Sequence, residues 1–206
     1  MVTIVDYGMG NLGSVKNMLK KIGEESIITS NKEDILNATK LLLPGVGSFD
    51  HAMINLKEMD LIDLIKEKVL EKKIPILGIC SGMQLLTKGS EEGNLEGFGF
   101  IDAYVKKFDF ISFDNHLPIP HMGWNKTYLQ KESNLYKDNN NKNRRFYFVH
   151  SYAVLCEDKN DILTITKYGY NFVSSFEKNN VIGCQFHPEK SHKYGMKLLK
   201  NFVENY

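Results

Sequence analysis

The sequence predicts an α/β fold with a central, mostly parallel sheet, flanking helices and an antiparallel, β-rich C-terminal half. Two observations carry this. In the first half of the 206 residues, short apolar runs alternate with longer amphipathic segments, the pattern of parallel strands joined by crossover helices. After about residue 98 the pattern turns to short segments rich in aromatic and β-branched residues, as expected of antiparallel strands and hairpins.

In chain order, the first half gives residues 2–6, 12–22, 25–28, 41–43, 54–70 and 74–79. The runs Val2-Thr3-Ile4-Val5 and Ile76-Leu77-Gly78-Ile79 lack polar alternation and are bounded by Asp, Gly or Pro, which suits central strands covered on both faces. An active face is then expected at their C-terminal ends. The second half gives strands over 103–108, 124–129, 145–149, 162–167, 172–176 and 181–186. Residues 137–143 (Lys-Asp-Asn-Asn-Asn-Lys-Asn) are too polar to pack and read as an exposed loop. Residues 191–205 read as a closing helix with Ser191 as N-cap and Met196, Leu199 and Phe202 at helical spacing. One domain over 1–206 is expected from this length.

Composition excludes several classes. The 26 basic and 25 acidic residues nearly cancel, so no global field favours nucleic acid or an anionic membrane. No stretch approaches the roughly 20 apolar residues that span a bilayer. Cys80, Cys156 and Cys184 lie far apart, without metal-ligand spacing or a disulfide framework, so neither metal nor other cofactor is expected and a reducing, cytoplasmic setting fits.

Three short patterns point to chemistry. The first is Ile76-Leu77-Gly78-Ile79-Cys80-Ser81-Gly82-Met83-Gln84, an apolar strand entering a Gly-x-Cys-x-Gly turn before a helix. This is the form of a nucleophile elbow, with Cys80 where hydrolases place Ser. Such a turn strains the nucleophile's backbone, while the glycines on either side let strand and helix approach closely. Taken alone, Cys80 is equally compatible with a small buried core residue. The second is Val181-Ile182-Gly183-Cys184-Gln185-Phe186, a strand that delivers His187-Pro188-Glu189. His187 at that point can take and return a proton, and Glu189 can fix its tautomer. Read separately, the pair is simply a turn with an acid at a helix start. His51, His116, His121, His150 and His192 remain rival bases. The third is Leu41-Leu42-Leu43-Pro44-Gly45-Val46-Gly47, a strand and glycine-rich loop that can aim backbone N–H groups at an oxyanion, with the Ser81 N–H as second donor.

Together these segments resemble the oxyanion strand, nucleophile turn and catalytic dyad of class I glutamine amidotransferases, which have a flavodoxin-like fold. Asp6-Tyr7-Gly8-Met9-Gly10-Asn11-Leu12, Pro120-His121-Met122-Gly123-Trp124-Asn125 and Phe146-Tyr147-Phe148-Val149-His150-Ser151-Tyr152 are similar to the glutaminase subunits of imidazole glycerol phosphate synthases. The resemblance implies a Cys80 thioester with glutamine, with His187 and Glu189 completing a triad. It implies substrate contacts from Val46, Gly47, Ser81, Gln84, His150, Ser151 and Tyr152. It also implies that ammonia passes to a (β/α)₈-barrel cyclase in a heterodimer, with Tyr7, Met9, Asn11, Trp124 and Lys190 at the interface. Gly13 and Ser81 depart from the histidine-pathway pattern, and the runs 90–93 and 97–103 look similar to paralogues that supply ammonia for surface-polysaccharide or nonulosonate-type sugar modification, the alternative acceptor. A non-catalytic regulatory protein of the same fold is the alternative of another class.

Overall fold

The computed structural model describes residues 1–110, 117–137 and 144–206. Its elements are β1 (Val2–Val5), α1 (Leu12–Lys21), β2 (Ser26–Thr29), α2 (Lys32–Leu36), β3 (Leu41–Gly45), α3 (Phe49–Glu58), α4 (Ile62–Lys66), β4 (Ile76–Cys80), α5 (Ser81–Leu85), β5 (Gly89–Ser90) and β6 (Ala103–Lys107). Then follow β7 (His121–Lys126), β8 (Tyr128–Leu129), β9 (Arg145–His150), β10 (Tyr152–Cys156), β11 (Ile162–Tyr168), β12 (Tyr170–Lys178), β13 (Val181–Cys184) and α6 (His192–Asn205).

Eleven of the described strands form one sheet, whose main path runs β2-β1-β3-β4-β13-β12-β10-β6-β5, with β11 and β8 attached through β12. The first five strands on that path are parallel. From β13 onward the β13–β12, β12–β10 and β10–β6 pairings are antiparallel, and β5 lies parallel to β6. The mixed sheet is therefore the one expected, with the late strand β13 inserted beside β4 at its parallel centre. β7 and β9 make a separate antiparallel ribbon.

Coverage on both faces explains why the central runs, Thr3 apart, are apolar. Leu41, Leu43, Val5 and Ile76 pack on one face with Phe49, Ala52, Met53 and Leu56 of α3. Leu42, Leu77, Ile79, Val2 and Ile4 pack on the other face with Val15 and Leu19 of α1 and Leu198, Leu199 and Phe202 of α6. A strand covered on both sides has no solvent face to fill with polar residues.

Four readings are corrected. Residues 54–70 are not one helix: α3 ends at Glu58 with Met59 as its C-cap, and Asp60 turns left-handed (φ 53°). There the Asp60 N–H donates to the Lys57 carbonyl and the Leu61 N–H to the Leu56 carbonyl, the paired bonds of a Schellman stop. Asp stands where Gly usually marks such a stop, so composition hid the break. Residues 124–129 divide between β7 in the ribbon and β8 in the large sheet. The segments α2 and β10 are additional elements, too short or too weakly patterned to stand out. Ser191 precedes α6, but its hydroxyl makes no cap bond; it donates to the His187 carbonyl (2.6 Å) and accepts from the Tyr147 N–H (3.0 Å). Of the polar run at 137–143, all but Lys137 lies outside the described residues, as does His116.

Candidate active site

Cys80 is the last residue of β4 and adopts φ 56°, ψ −114°, the strained backbone of a nucleophile elbow. The turn closes because Gly82 has no side chain: a Cβ there would lie 1.8 Å from the Leu43 carbonyl oxygen. β3 and the start of α5 thus touch backbone to backbone, bringing the loop after Gly45 beside Cys80, with which Gly45 is in register. Gly47 in that loop has φ 109°, a region that L side chains rarely occupy.

β13 enters from the other side. Its register with β4 sets Cys184 opposite Ile79, so the chain leaving β13 passes the end of β4. His187 is fixed there by its N–H donating to the Tyr147 carbonyl (2.9 Å) and by the Ser191 hydroxyl on its carbonyl. Its Nδ1 donates to Glu189 Oε1 at 2.7 Å, and both side chains are 2% exposed. That bond places the free lone pair or proton on Nε2, which has no hydrogen-bond partner among the described residues. Burial alone would lower the His187 pKa; the Cys80 sulfur and the Glu189 carboxylate outweigh it and push the pKa up to about 10.

A cavity of ≈ 400 Å³ opens over these groups, lined by Val46, Gly47, Ser48, Cys80, Ser81, Gln84, Glu92, Val149, His150, Ser151, Tyr152 and His187. Every residue expected to contact substrate lines it. Ser48, Glu92 and Val149 also line it and were not among the expected substrate contacts; Glu92 and Val149 lie in runs noted for resemblance, with no site role. Glu92 lies in a turn where nothing local marks it as a ligand, and its carboxylate is turned inward by accepting the Phe49 N–H (3.0 Å) at the start of α3. Asp50 returns the contact by accepting the Asn94 N–H (2.9 Å) and Leu95 N–H (3.0 Å).

Behind the cavity wall, His150 Nδ1 meets the Tyr152 carbonyl at 2.6 Å. A carbonyl only accepts, so His150 carries its proton on Nδ1 and its Nε2 accepts from His121 Nδ1 (3.0 Å); His121 Nε2 in turn accepts from the Asn125 amide (3.2 Å). Burial lowers the His150 pKa to about 3 and the His121 pKa to about 4, so both rings are neutral at pH 7. They are therefore engaged as structural donors and acceptors. His51 and His192 are exposed and do not line the cavity; His150 lines it, but both of its ring nitrogens are engaged, whereas His187 keeps Nε2 open. Among the described residues no group of three or more His, Cys, Asp or Glu side chains is arranged to hold a metal.

A strained cysteine at a strand end, sharing one cavity with a histidine held by a buried glutamate, fits amide transfer from a small substrate. The glutamine amidotransferase class-I family model matches residues 3–206. The chain belongs to the class-I glutamine amidotransferase family. It is 56% identical over 204 residues to imidazole glycerol phosphate synthase subunit HisH 2 of Methanococcus maripaludis, covering 99% of both chains. It is 50% identical to subunit HisH 1 of Campylobacter jejuni subsp. jejuni serotype O:23/36, covering 98% of this chain and 99% of that one. Among solved structures it is similar to PurLQS from Thermotoga maritima (TM-score 0.73, 17% identity, 98% and 96% of the two chains). A protein described as a glutamine amidotransferase gives a TM-score of 0.72 at 19% identity, over 99% and 98%. Identities this low speak for the fold, which is the class-I amidotransferase fold.

The interface residues expected from the amidotransferase resemblance separate by exposure. Trp124 is 43% exposed on β7, stacked on His192 (5.6 Å between ring centroids) with the Arg145 guanidinium over its ring (5.9 Å). Lys190 and Asn11 are exposed and Met9 is half-buried, its methyl over Gly47. Tyr7 is different. It is wholly buried, with its hydroxyl donating to the Pro44 carbonyl at 2.7 Å, so its side chain braces the start of the Pro44–Gly47 loop and offers no outer surface.

Proposed function

We propose that this chain, a single amidotransferase domain over 1–206, is the glutaminase subunit of an imidazole glycerol phosphate synthase. The observation that carries the reading is the meeting of Cys80, in its strained turn, with the buried His187–Glu189 pair in one cavity. The likeness to named HisH subunits over nearly the full chain supports the choice of synthase.

In this reading glutamine enters with its side-chain amide against Cys80. The sulfur attacks the amide carbon, and the oxyanion forms toward the N–H groups of Gly47 and Ser81. His187, held as an imidazolium by Glu189, gives its Nε2 proton to the departing nitrogen, so ammonia leaves and a thioester remains. Water then attacks the thioester, His187 takes the proton, and glutamate departs with the sulfur restored. Glu92 suits the α-ammonium group. Gln84 adds an acceptor: its amide N–H groups are engaged by Gln185 (3.0 Å) and the Tyr152 carbonyl (3.5 Å), which leaves its Oε1 for the substrate.

Ammonia passes to the synthase partner, a (β/α)₈-barrel cyclase bound as a heterodimer across Trp124, Lys190, Met9 and Asn11. It opens the ribulosyl-formimino nucleotide to imidazole glycerol phosphate and an aminoimidazole carboxamide ribotide in histidine biosynthesis. The three free cysteines suit the cytoplasm.

The test is glutamate release from glutamine by the purified chain, alone and with the cyclase of its own source, with and without the nucleotide. Slow release alone and a large rise with both establishes the reading. No response to the pair, in a chain whose Cys80 is still labelled by a glutamine analogue, transfers the chain to a sugar-amidating synthase.

A further inference from the structure

Gln185 is 0% exposed, and neither a strand pairing nor a place in the cavity wall accounts for its side chain. It sits one residue beyond β13, with its backbone N–H donating to the Ser174 carbonyl (2.9 Å). Its amide lies between Gln84, whose Nε2 is 3.0 Å from Gln185 Oε1, and Cys80, whose sulfur is 3.8 Å from Gln185 Nε2.

The orientation of this amide follows from its neighbours. The Tyr152 carbonyl can only accept, so the side of Gln84 facing it is the NH₂ group. The same NH₂ faces Gln185, which must answer with its oxygen. The NH₂ of Gln185 is thereby turned toward the sulfur. Flipping either amide would set two donors or two acceptors against each other in a buried site, at a cost comparable to an unpaired polar group.

Two other side chains near the sulfur are already committed. The Tyr7 hydroxyl donates to the Pro44 carbonyl, and the Cys184 thiol donates to the Phe186 carbonyl (3.6 Å). Burial raises the pKa of both, so each is neutral at pH 7. His187 is then the cation beside the sulfur and Gln185 its neutral side-chain donor.

We propose that Gln185 donates an N–H to the Cys80 sulfur, stabilising the thiolate and holding it in the rotamer that faces the cavity. The proposal rests on the reading of Cys80 as the nucleophile. An amide suits this place because it adds a donor without a charge. A cation there would compete with His187 for the thiolate, and a carboxylate would repel it.

The test is the pH dependence of Cys80 alkylation by iodoacetamide in the full chain, with Cys80→Ala as the baseline for reaction at other thiols. Gln185→Leu removes the donor, and its thermal unfolding is recorded alongside. The midpoint of the alkylation profile is expected to rise by about one pH unit, as for loss of a hydrogen bond to a charged group. Gln185→Glu is expected to raise it further. A folded Gln185→Leu with an unmoved midpoint overturns the proposal, since a merely structural role shifts the melting temperature and leaves the midpoint. Should Gln185→Leu fail to fold, the double variant Gln84→Leu/Gln185→Leu, which leaves no half-paired amide, is read by the same criterion. Alkylation of the wild-type chain no faster than that of Cys80→Ala would instead remove the nucleophile reading itself.

Discussion

His187 Nδ1 lies 2.7 Å from Glu189 Oε1, and neither side chain is more than 2% exposed. In that setting the carboxylate fixes one imidazole tautomer and stabilises its protonated form, which the ring needs when ammonia leaves. Glu189→Gln keeps the shape and removes the charge. The expected outcome is a loss in kcat on the order of 10²–10⁴-fold, the range over which positioned general acids and bases act, with KM nearly unchanged. Steady-state glutamate release in the presence of the synthase partner checks it.

Cys80→Ala keeps the elbow and removes the nucleophile. Glutamine-dependent turnover should vanish while partner binding survives, because Cys80 is 7% exposed at the cavity floor and touches no outer surface. Retained hydrolysis would assign the attack to another group. Reaction with free ammonia, which bypasses the glutaminase, should persist in the assembled variant.

Gly82→Ala drives a methyl toward the Leu43 carbonyl oxygen, 1.8 Å from the ideal Cβ position. The blocking atom is backbone, so β3 and α5 must separate. A destabilisation of about 3 kcal/mol is expected for overpacking of this kind, which in a chain this long lowers Tm by roughly 6–12 °C. Calorimetry decides this, and an unchanged Tm would mean that the elbow is less tightly closed than described.

Stability should peak near neutral pH, for opposite reasons on its two sides. His121 and His150 titrate at about 4 and about 3 in the fold against an ordinary 6.5, so the unfolded chain binds more protons between those values. Their contribution is complete above pH 6.5 and is lost as pH falls toward 4 and 3. His187 is raised to about 10, so its contribution is complete below 6.5 and is lost as pH rises through about 10. Urea midpoints measured across pH check both limbs, and His121→Gln should flatten the acid limb alone.

Trp124 and Tyr7 should separate in a binding measurement. Trp124 is half exposed on the ribbon, and Trp124→Ala is expected to weaken the cyclase complex by about 2 kcal/mol, near 30-fold in Kd, as for an aromatic anchor. Tyr7→Phe should leave partner affinity unchanged and cost about 1 kcal/mol of stability, because it unpairs the Pro44 carbonyl. Titration calorimetry gives the first quantity and urea unfolding the second.

The sequence by itself determined the fold class and the chemical groups. Val2–Val5, apart from the buried Thr3, and Ile76–Cys80 carry no polar alternation because both faces are covered, and the glycines around Cys80 are demanded by backbone contact. Local rules of this sort act within a few residues, so they are legible in order along the chain. Only the tertiary structure decided which groups meet. His187 faces the cavity because β13 lies parallel to β4, 100 residues after it in sequence; His121 and His150 are neutral partners because β7 pairs with β9. Glu92 is turned inward by the start of α3, Gln185 is aimed by Gln84, and Tyr7 is taken from the surface into the core. Each depends on packing between distant segments, where burial and donor–acceptor matching act through space and leave no periodicity in the sequence.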